Sequence, residues 1–143
     1  MVKHTMTLCG EEVPIHLGEV PVGELRFYPE NPRIYSLMSF EDAPPTQEDI
    51  QTALEKMDHV NVLVQSIRAN GGVANPLIVR GGDYVVLEGN SRLAAYRILN
   101  KKDPIKWGMV KCTILPKEID DDKVFALLGE IHIVGTKDWA PYE

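Results

Sequence analysis

Cysteine, histidine and long apolar runs are scarce in this chain, and their scarcity excludes several classes of protein. The 143 residues include two cysteines, Cys9 and Cys112, which lie far apart and outside any C-x-x-C arrangement. That excludes a disulfide framework and a zinc site. Cys112 lies in the apolar run from Val110 to Leu115, and we interpret it as a small core residue. The four histidines show no metal-ligand spacing either.

Signals for membrane insertion or secretion are also missing from the sequence. No apolar run approaches the roughly 20 residues that a helix needs to cross a bilayer. The N-terminus, Met1 to Thr5, lacks the apolar stretch of a signal peptide. We therefore expect a cytoplasmic protein with no membrane partner. The length fits one domain, residues 1–143, with a single core.

The sequence has fewer positively charged than negatively charged residues. The formal net charge of −6 argues against a broad basic surface that grips DNA by charge alone. Four lysines nevertheless fall close together in the sequence, which leaves a local basic patch as an alternative to a solvated face. We favour the solvated face for this set, which comprises Lys101, Lys102, Lys106 and Lys111.

The composition is that of a globular chain, with 44% hydrophobic and 25% charged residues, and this argues against disorder over most of the length. Short β-prone stretches broken by glycines predict an N-terminal hairpin over residues 1–24 and a strand near Gly23 to Phe27. Residues 36–45 are polar and proline-rich, which favours a loop.

The clearest predicted helix begins at Thr46. Thr46 and Asp49 have the spacing of a capping box. Gly71 and Gly72 end the pattern, because glycine tolerates the left-handed conformation that closes a helix. We predict one continuous helix that packs through Ile50, Ala53, Leu54, Met57, Val60, Val64 and Ile67.

Two apolar strands follow this helix, Pro76 to Val79 and Tyr84 to Leu87, with a hairpin-type turn at residues 81–83. Because both are apolar throughout, we expect them at the centre of a sheet and buried on both faces. The predicted fold class is α/β (α+β), a small mixed sheet flanked by helices. Its remaining elements are a helix from Ser91 to about Leu99, a strand from Val110 to Leu115 and a helix from about Asp120 to Ile131.

The junction Leu87-Glu88-Gly89-Asn90-Ser91-Arg92 is the segment that predicts chemistry. A strand ends there, a glycine allows close approach of a ligand, and a helix begins whose first N–H groups attract anions. Asn90 or Ser91 can cap that helix, and Arg92 brings a fork of donors suited to phosphate oxygens. The junction therefore predicts a phosphate cradle. The alternative is a capped helix after a glycine turn, with Arg92 paired to a nearby carboxylate.

Three runs in this region follow a family pattern: Ser66 to Gly72, Asn75 to Val79 and Tyr84 to Ala95. They resemble the ParB N-terminal domain, of the ParB/sulfiredoxin superfamily. Asn31-Pro32-Arg33 is similar to the N-P-R segment ahead of the family's first helix. Glu130 with Trp139, Pro141 and Glu143 is similar to its E-N-x-x-R…L-x-P-x-E box. The resemblance covers about residues 25–143 and leaves residues 1–24 as an N-terminal β-hairpin extension.

The resemblance implies a ParB/sulfiredoxin-like fold in which this loop binds nucleotide phosphates. ParB proteins bind and hydrolyse CTP with magnesium and act as DNA-sliding clamps, sulfiredoxins use ATP, and some relatives are described as nucleases. The implied ligand is CTP or ATP with Mg²⁺. We expect DNA to be contacted by a part of a longer protein beyond this chain. Whether the protein forms a homodimer is an open question at this point. The implied binding residues are Gly89, Asn90, Ser91, Arg92 and Arg33; the implied catalytic residues are Glu88 and Glu130, with Glu130 also holding the metal.

The sequence departs from the family at informative positions. The ParB loop reads G-E-R-R where this chain reads G-N-S-R, so this chain has one arginine fewer. We therefore expect it to bind a triphosphate with lower affinity. Asn90 stands in place of the sulfiredoxin cysteine, which excludes that nucleophile. The third box lacks its N-x-x-R core, which argues against ParB-type CTP hydrolysis.

Three functions therefore stay open. The first is a domain of a DNA-associated protein that binds a nucleotide phosphate, with or without weak nucleotide hydrolysis. The second is a metal-dependent nuclease or a nucleotide-dependent phosphotransferase. The third is a protein-interaction module with a vestigial cradle. The site residues have structural interpretations as well: Glu88 paired with Arg92, Glu130 on a solvated helix face, and Arg33 at a helix C-terminus.

Overall fold

The computed structural model describes residues 4–28 and 46–134, with side chains described as far as Leu128. It shows a mixed α/β fold, as the sequence predicts. Six strands form one sheet: β1 (His4–Leu8), β2 (Glu11–Pro21), β3 (Arg26–Phe27), β4 (Leu77–Arg80), β5 (Val85–Glu88) and β6 (Met109–Leu115). Five α-helices accompany it within the described residues: α1 (Gln47–Glu55), α2 (Asp58–Asn70), α3 (Asn90–Lys102), α4 (Pro104–Trp107) and α5 (Asp121–Val134). A 3-10 helix, Val22–Glu24, takes the first part of the strand predicted near Gly23 to Phe27.

The predicted N-terminal hairpin is confirmed. β1 and β2 pair antiparallel, with Leu8 opposite Glu11. The two residues between them, Cys9 and Gly10, have φ of 53° and 76°. Positive φ at both central positions is the geometry of the two-residue turn that matches the twist of paired strands.

The sheet has the order β1-β2-β6-β4-β5-β3 and mixes parallel and antiparallel pairs. β4 runs antiparallel to β5 and parallel to β6. Ile78, near the start of β4, lies opposite Glu88 at the end of β5. The start of β4 and the end of β5 therefore meet at one edge of the sheet, and this edge carries the junction that the sequence singles out.

The capping box at Thr46 is confirmed, but the single long helix is wrong. The Thr46 hydroxyl accepts from the Asp49 backbone, and the Asp49 carboxylate accepts from the Thr46 backbone. The helix is interrupted between α1 and α2, where Met57 adopts an extended conformation with ψ of 133°. The apolar stripe survives the break, because Ile50 and Leu54 are buried on α1 while α2 buries Val60, Val64 and Ile67.

The predicted end of α2 is also confirmed, since Gly71 closes it with φ of 78°. Two apolar clusters lie on opposite faces of the sheet, as the alternation along β5 shows: Val86 belongs to one cluster, and its neighbours Val85 and Leu87 belong to the other. Helices α1, α2 and α3 cover the first face, and α5 covers the second. β4 and β5 are thus central and face apolar clusters on both sides, as expected. No helix in the described ranges is long and apolar enough to span a bilayer.

Candidate functional site: the turn between β5 and α3

Gly89 makes the turn from β5 into α3. Its φ is 107° and its ψ is 25°, a left-handed conformation that side chains other than glycine rarely adopt. A Cβ at this position would lie 2.8 Å from Leu77 Cγ and 3.0 Å from Arg92 Nη2. The turn therefore depends on glycine for two reasons, the backbone conformation and the space. It places the N-terminus of α3, the positive end of the helix dipole, directly after the end of β5.

Asn90 ties this turn to two other segments. Its side chain is buried; Oδ1 accepts from the Tyr28 backbone at 3.1 Å, and Nδ2 donates to the Val86 carbonyl at 3.0 Å. The prediction that Asn90 or Ser91 caps the helix is wrong. Gly89 holds the cap position and α3 has no side-chain cap. The Asn90 amide instead forms hydrogen bonds with the backbones of Tyr28 and Val86, and these hold the turn in place.

Ser91 is also buried, and its hydroxyl lies 3.0 Å from Nε2 of His59. His59 lies in the first turn of α2 and is half-buried. Either group can donate in this contact, depending on the imidazole tautomer. The sequence gives no signal for the pair, because the two residues are 32 positions apart. The contact joins α2 to the second residue of α3.

Arg92 folds back over the turn. Its Nη1 donates to the Asn75 carbonyl at 2.6 Å, and its Nη2 lies 3.6 Å from Oε1 of Glu88. The side chain is about one-fifth exposed. The alternative interpretation of Glu88, as the carboxylate that pairs with Arg92, thus describes the structure. At 3.6 Å the pair is an ion pair with no direct hydrogen bond, which allows an anionic ligand to compete for the guanidinium.

Two of the predicted site residues cannot be placed at the turn. Arg33 lies outside the described residues. The backbone of Glu130 belongs to α5, but its side chain is outside the described part. Their roles in phosphate binding, catalysis and metal binding stay predictions. The structure thus brings together Glu88, Gly89, Asn90, Ser91 and Arg92, and it adds Asn75 and His59, which sequence reasoning missed.

The cysteines and acidic groups of the described residues form no metal centre. No group of three or more His, Cys, Asp or Glu side chains within the described ranges is arranged to hold a metal ion. Cys112 is buried, as predicted, and its burial raises the pKa of the thiol to about 11. It is therefore protonated at neutral pH, which makes it a poor nucleophile there.

No family model, curated protein or solved structure matches this chain. The resemblance to the ParB N-terminal domain stays a prediction, and so does the assignment of the whole chain to one domain.

Proposed function

We propose that this chain is a nucleotide-binding domain that holds a phosphate group of CTP or ATP on the β5–α3 turn, in the manner of the ParB/sulfiredoxin superfamily. One observation carries the proposal. The Arg92 guanidinium lies 3.0 Å from the place where a Cβ of residue 89 would be, directly at the start of α3. A cation thus lies at the N-terminus of a helix, and the guanidinium and the positive end of the helix dipole both attract phosphate oxygens.

The donors at the turn fit a phosphate group. A guanidinium has five N–H donors, and the contacts described for Arg92 involve its Nη1 and, more loosely, its Nη2. A phosphate could therefore bind Arg92 while Asn75 keeps its hydrogen bond.

Magnesium fits this site only together with the nucleotide. Mg²⁺ is commonly held by one or two carboxylates and by substrate phosphates. Glu88 is the carboxylate next to the turn, and its Oε1 is the oxygen that faces Arg92. Glu88 would hold the ion, with Glu130 as the second proposed ligand, and the ion would neutralise phosphate charge. We propose further that DNA is a partner of another part of the protein rather than of this domain, because the net charge here is −6.

A protein-interaction role is the second candidate, and a specific observation favours it. Asn90, Ser91 and Arg92 each make contacts inside the fold, with Val86, His59 and Asn75 respectively. A turn in which each of these three side chains already has a partner within the fold needs no ligand to be stable. In this case the β5–α3 turn has a purely structural role, and Arg92 stabilises the fold without binding a ligand.

Calorimetric titration separates the two candidates. CTP and ATP, each with and without Mg²⁺, are titrated into the wild-type domain, into Arg92→Ala and into Arg68→Ala. Arg68 is exposed at the end of α2, so its loss changes the net charge equally without touching the turn. We expect wild type and Arg68→Ala to bind alike. Arg92→Ala should bind roughly tenfold to a hundredfold more weakly, because it loses a charge-assisted hydrogen bond.

Circular dichroism confirms that each variant is folded before the titration is interpreted. A folded wild type that binds neither nucleotide would eliminate the phosphate cradle and leave the interaction module. Binding that Arg92→Ala leaves unchanged would place the nucleotide elsewhere on the molecule.

A further inference from the structure

A cavity of about 580 Å³ opens between the α2–β4 loop, helix α4 and the strands β2 and β6. This volume falls within the range of pockets that hold small molecules. Residues 70–74 form one wall, and none of the residues from Glu88 to Arg92 lines it. The side chains that give it chemical character are Glu19, Tyr96, Lys106, Trp107, Met109 and Lys111. It is thus a site separate from the β5–α3 turn.

The charged side chains of the cavity have a positive balance. Lys106 and Lys111 line it, and Glu19 is the single acidic residue among its lining residues. Within the described residues neither lysine forms an ion pair, whereas Lys101 pairs with Glu55 at 3.9 Å. Two of the four lysines that are close in sequence thus line this cavity. A local surplus of positive charge on a chain of net charge −6 favours an anionic ligand.

Apolar and aromatic surface borders the same space. Trp107 packs edge-to-face against Tyr96, with ring centroids 5.8 Å apart, and the Lys106 ammonium lies 5.1 Å from the centre of the Trp107 ring. Ile105 is 97% exposed and Met109 is 45% exposed, although both are large apolar side chains. Exposed apolar side chains gathered at the rim of a cavity mark a binding surface more often than isolated ones do.

We infer that this cavity binds a small organic anion that has an apolar body. Lys106 and Lys111 hold the carboxylate or phosphate head by charge-assisted hydrogen bonds. The apolar body lies against the exposed side chains of Ile105 and Met109. Specificity for the sign of the charge comes from the two lysines, and the apolar contacts select the body of the ligand. This site does not depend on nucleotide binding at the β5–α3 turn.

Backbone amide shifts in two-dimensional NMR test the inference, because they detect weak binding and report its location. Phenylacetate is the probe, phenylacetamide is its neutral isostere, and phenethylamine is a cation with a similar body. Each is titrated into the wild-type protein and three variants. Lys106→Gln/Lys111→Gln removes the two cations of the cavity, Lys101→Gln/Lys102→Gln removes the same charge from exposed lysines outside it, and Arg92→Ala removes the arginine of the turn.

Phenylacetate should shift amides at 70–74 and 105–111 of the wild-type protein in a saturable way. Phenylacetamide should bind about tenfold more weakly because it lacks the charge, and phenethylamine should not bind. Lys106→Gln/Lys111→Gln should lose at least about tenfold in affinity, while the other two variants bind as wild type does. The inference is overturned if folded wild-type protein shows no saturable shift there. It is overturned equally if the two double variants lose affinity alike, or if the shifts map to residues 88–92 and vanish in Arg92→Ala.

Discussion

A methyl group on Gly89 would meet two obstacles, the positive φ of 107° and Leu77 Cγ at 2.8 Å. We expect Gly89→Ala to lower the free energy of unfolding by about 2–4 kcal/mol, because backbone strain and overpacking add. Urea denaturation measures the change. Gly18→Ala is the matched control, since a Cβ there has no atom within 4 Å; it should leave stability unchanged or raise it slightly. Equal losses in both variants would contradict the role assigned to the turn.

The two thiols should differ in reactivity as sharply as they differ in exposure. Cys9 is exposed in the β1–β2 turn, and Cys112 is buried with a pKa of about 11. At about pH 8, a disulfide reagent should modify one thiol of the native protein and both thiols in denaturant, because the thiolate is the reacting form. Cys9→Ser should abolish the native reaction, and Cys112→Ser should retain it. Rapid native labelling of Cys9→Ser would show that the core around Cys112 opens readily.

Cys112 also predicts how stability depends on alkaline pH. Its folded-state pKa of about 11 lies above the ordinary value of 9.0. As pH rises through this interval the unfolded chain loses the proton first, so the free energy of unfolding should fall between pH 9 and about 11. Denaturant titrations at several pH values measure the slope. Cys112→Ala should show a shallower slope, and an unchanged slope would assign the alkaline loss to other groups.

At the scale of elements, the capping box makes Thr46 the residue on which the start of α1 depends. Its hydroxyl and the Asp49 carboxylate exchange hydrogen bonds of 3.1 Å with the two backbone N–H groups. Thr46→Ala should therefore lower the free energy of unfolding by about 1 kcal/mol in urea denaturation. Thr52→Ala removes the same atoms from an exposed position inside α1 and should be neutral or stabilising, because alanine favours helix. A cost as large for Thr52→Ala would contradict the capping role.

Elements that depend on neighbouring residues could be predicted from the sequence, and elements that depend on distant ones could not. The cap at Thr46, the end of α2 at Gly71 and the β5–α3 turn all have local signals, and each is present in the structure. The break at Met57 contains neither glycine nor proline, and the apolar stripe runs on across it. The sequence pattern therefore contains no signal for the boundary between α1 and α2.

The candidate site also combines a feature that the local sequence predicts with features that depend on distant residues. Its backbone geometry follows from Gly89, but its partners come from far along the chain. Asn90 bonds Tyr28 across 62 positions, and His59 reaches Ser91 across 32. The predicted cap failed because tertiary contacts competed for the Asn90 side chain. The sheet order, with β6 between β2 and β4, is equally long-range.

At the scale of the whole molecule, the sheet is shared by two apolar clusters on its opposite faces. Leu87 is fully buried in the cluster beneath α5, and Trp107 belongs to the cluster beneath α2 and α3. If the chain is one folding unit, damage on one face must destabilise the other. We expect Leu87→Ala to lower the free energy of unfolding by about 2–5 kcal/mol, because it removes buried methyl groups and leaves a cavity.

Two probes of the same urea titration decide whether the faces unfold together. Trp107 fluorescence, measured in a Trp139→Phe background, reports its own cluster, and far-UV circular dichroism reports the helices. Both transitions should shift to lower urea by the same amount in Leu87→Ala. Val62→Ala, at an exposed apolar residue on α2, should shift neither. A fluorescence transition that stays at its wild-type midpoint while the dichroism transition moves would divide the chain into two units. The prediction of one domain over residues 1–143 would then be wrong.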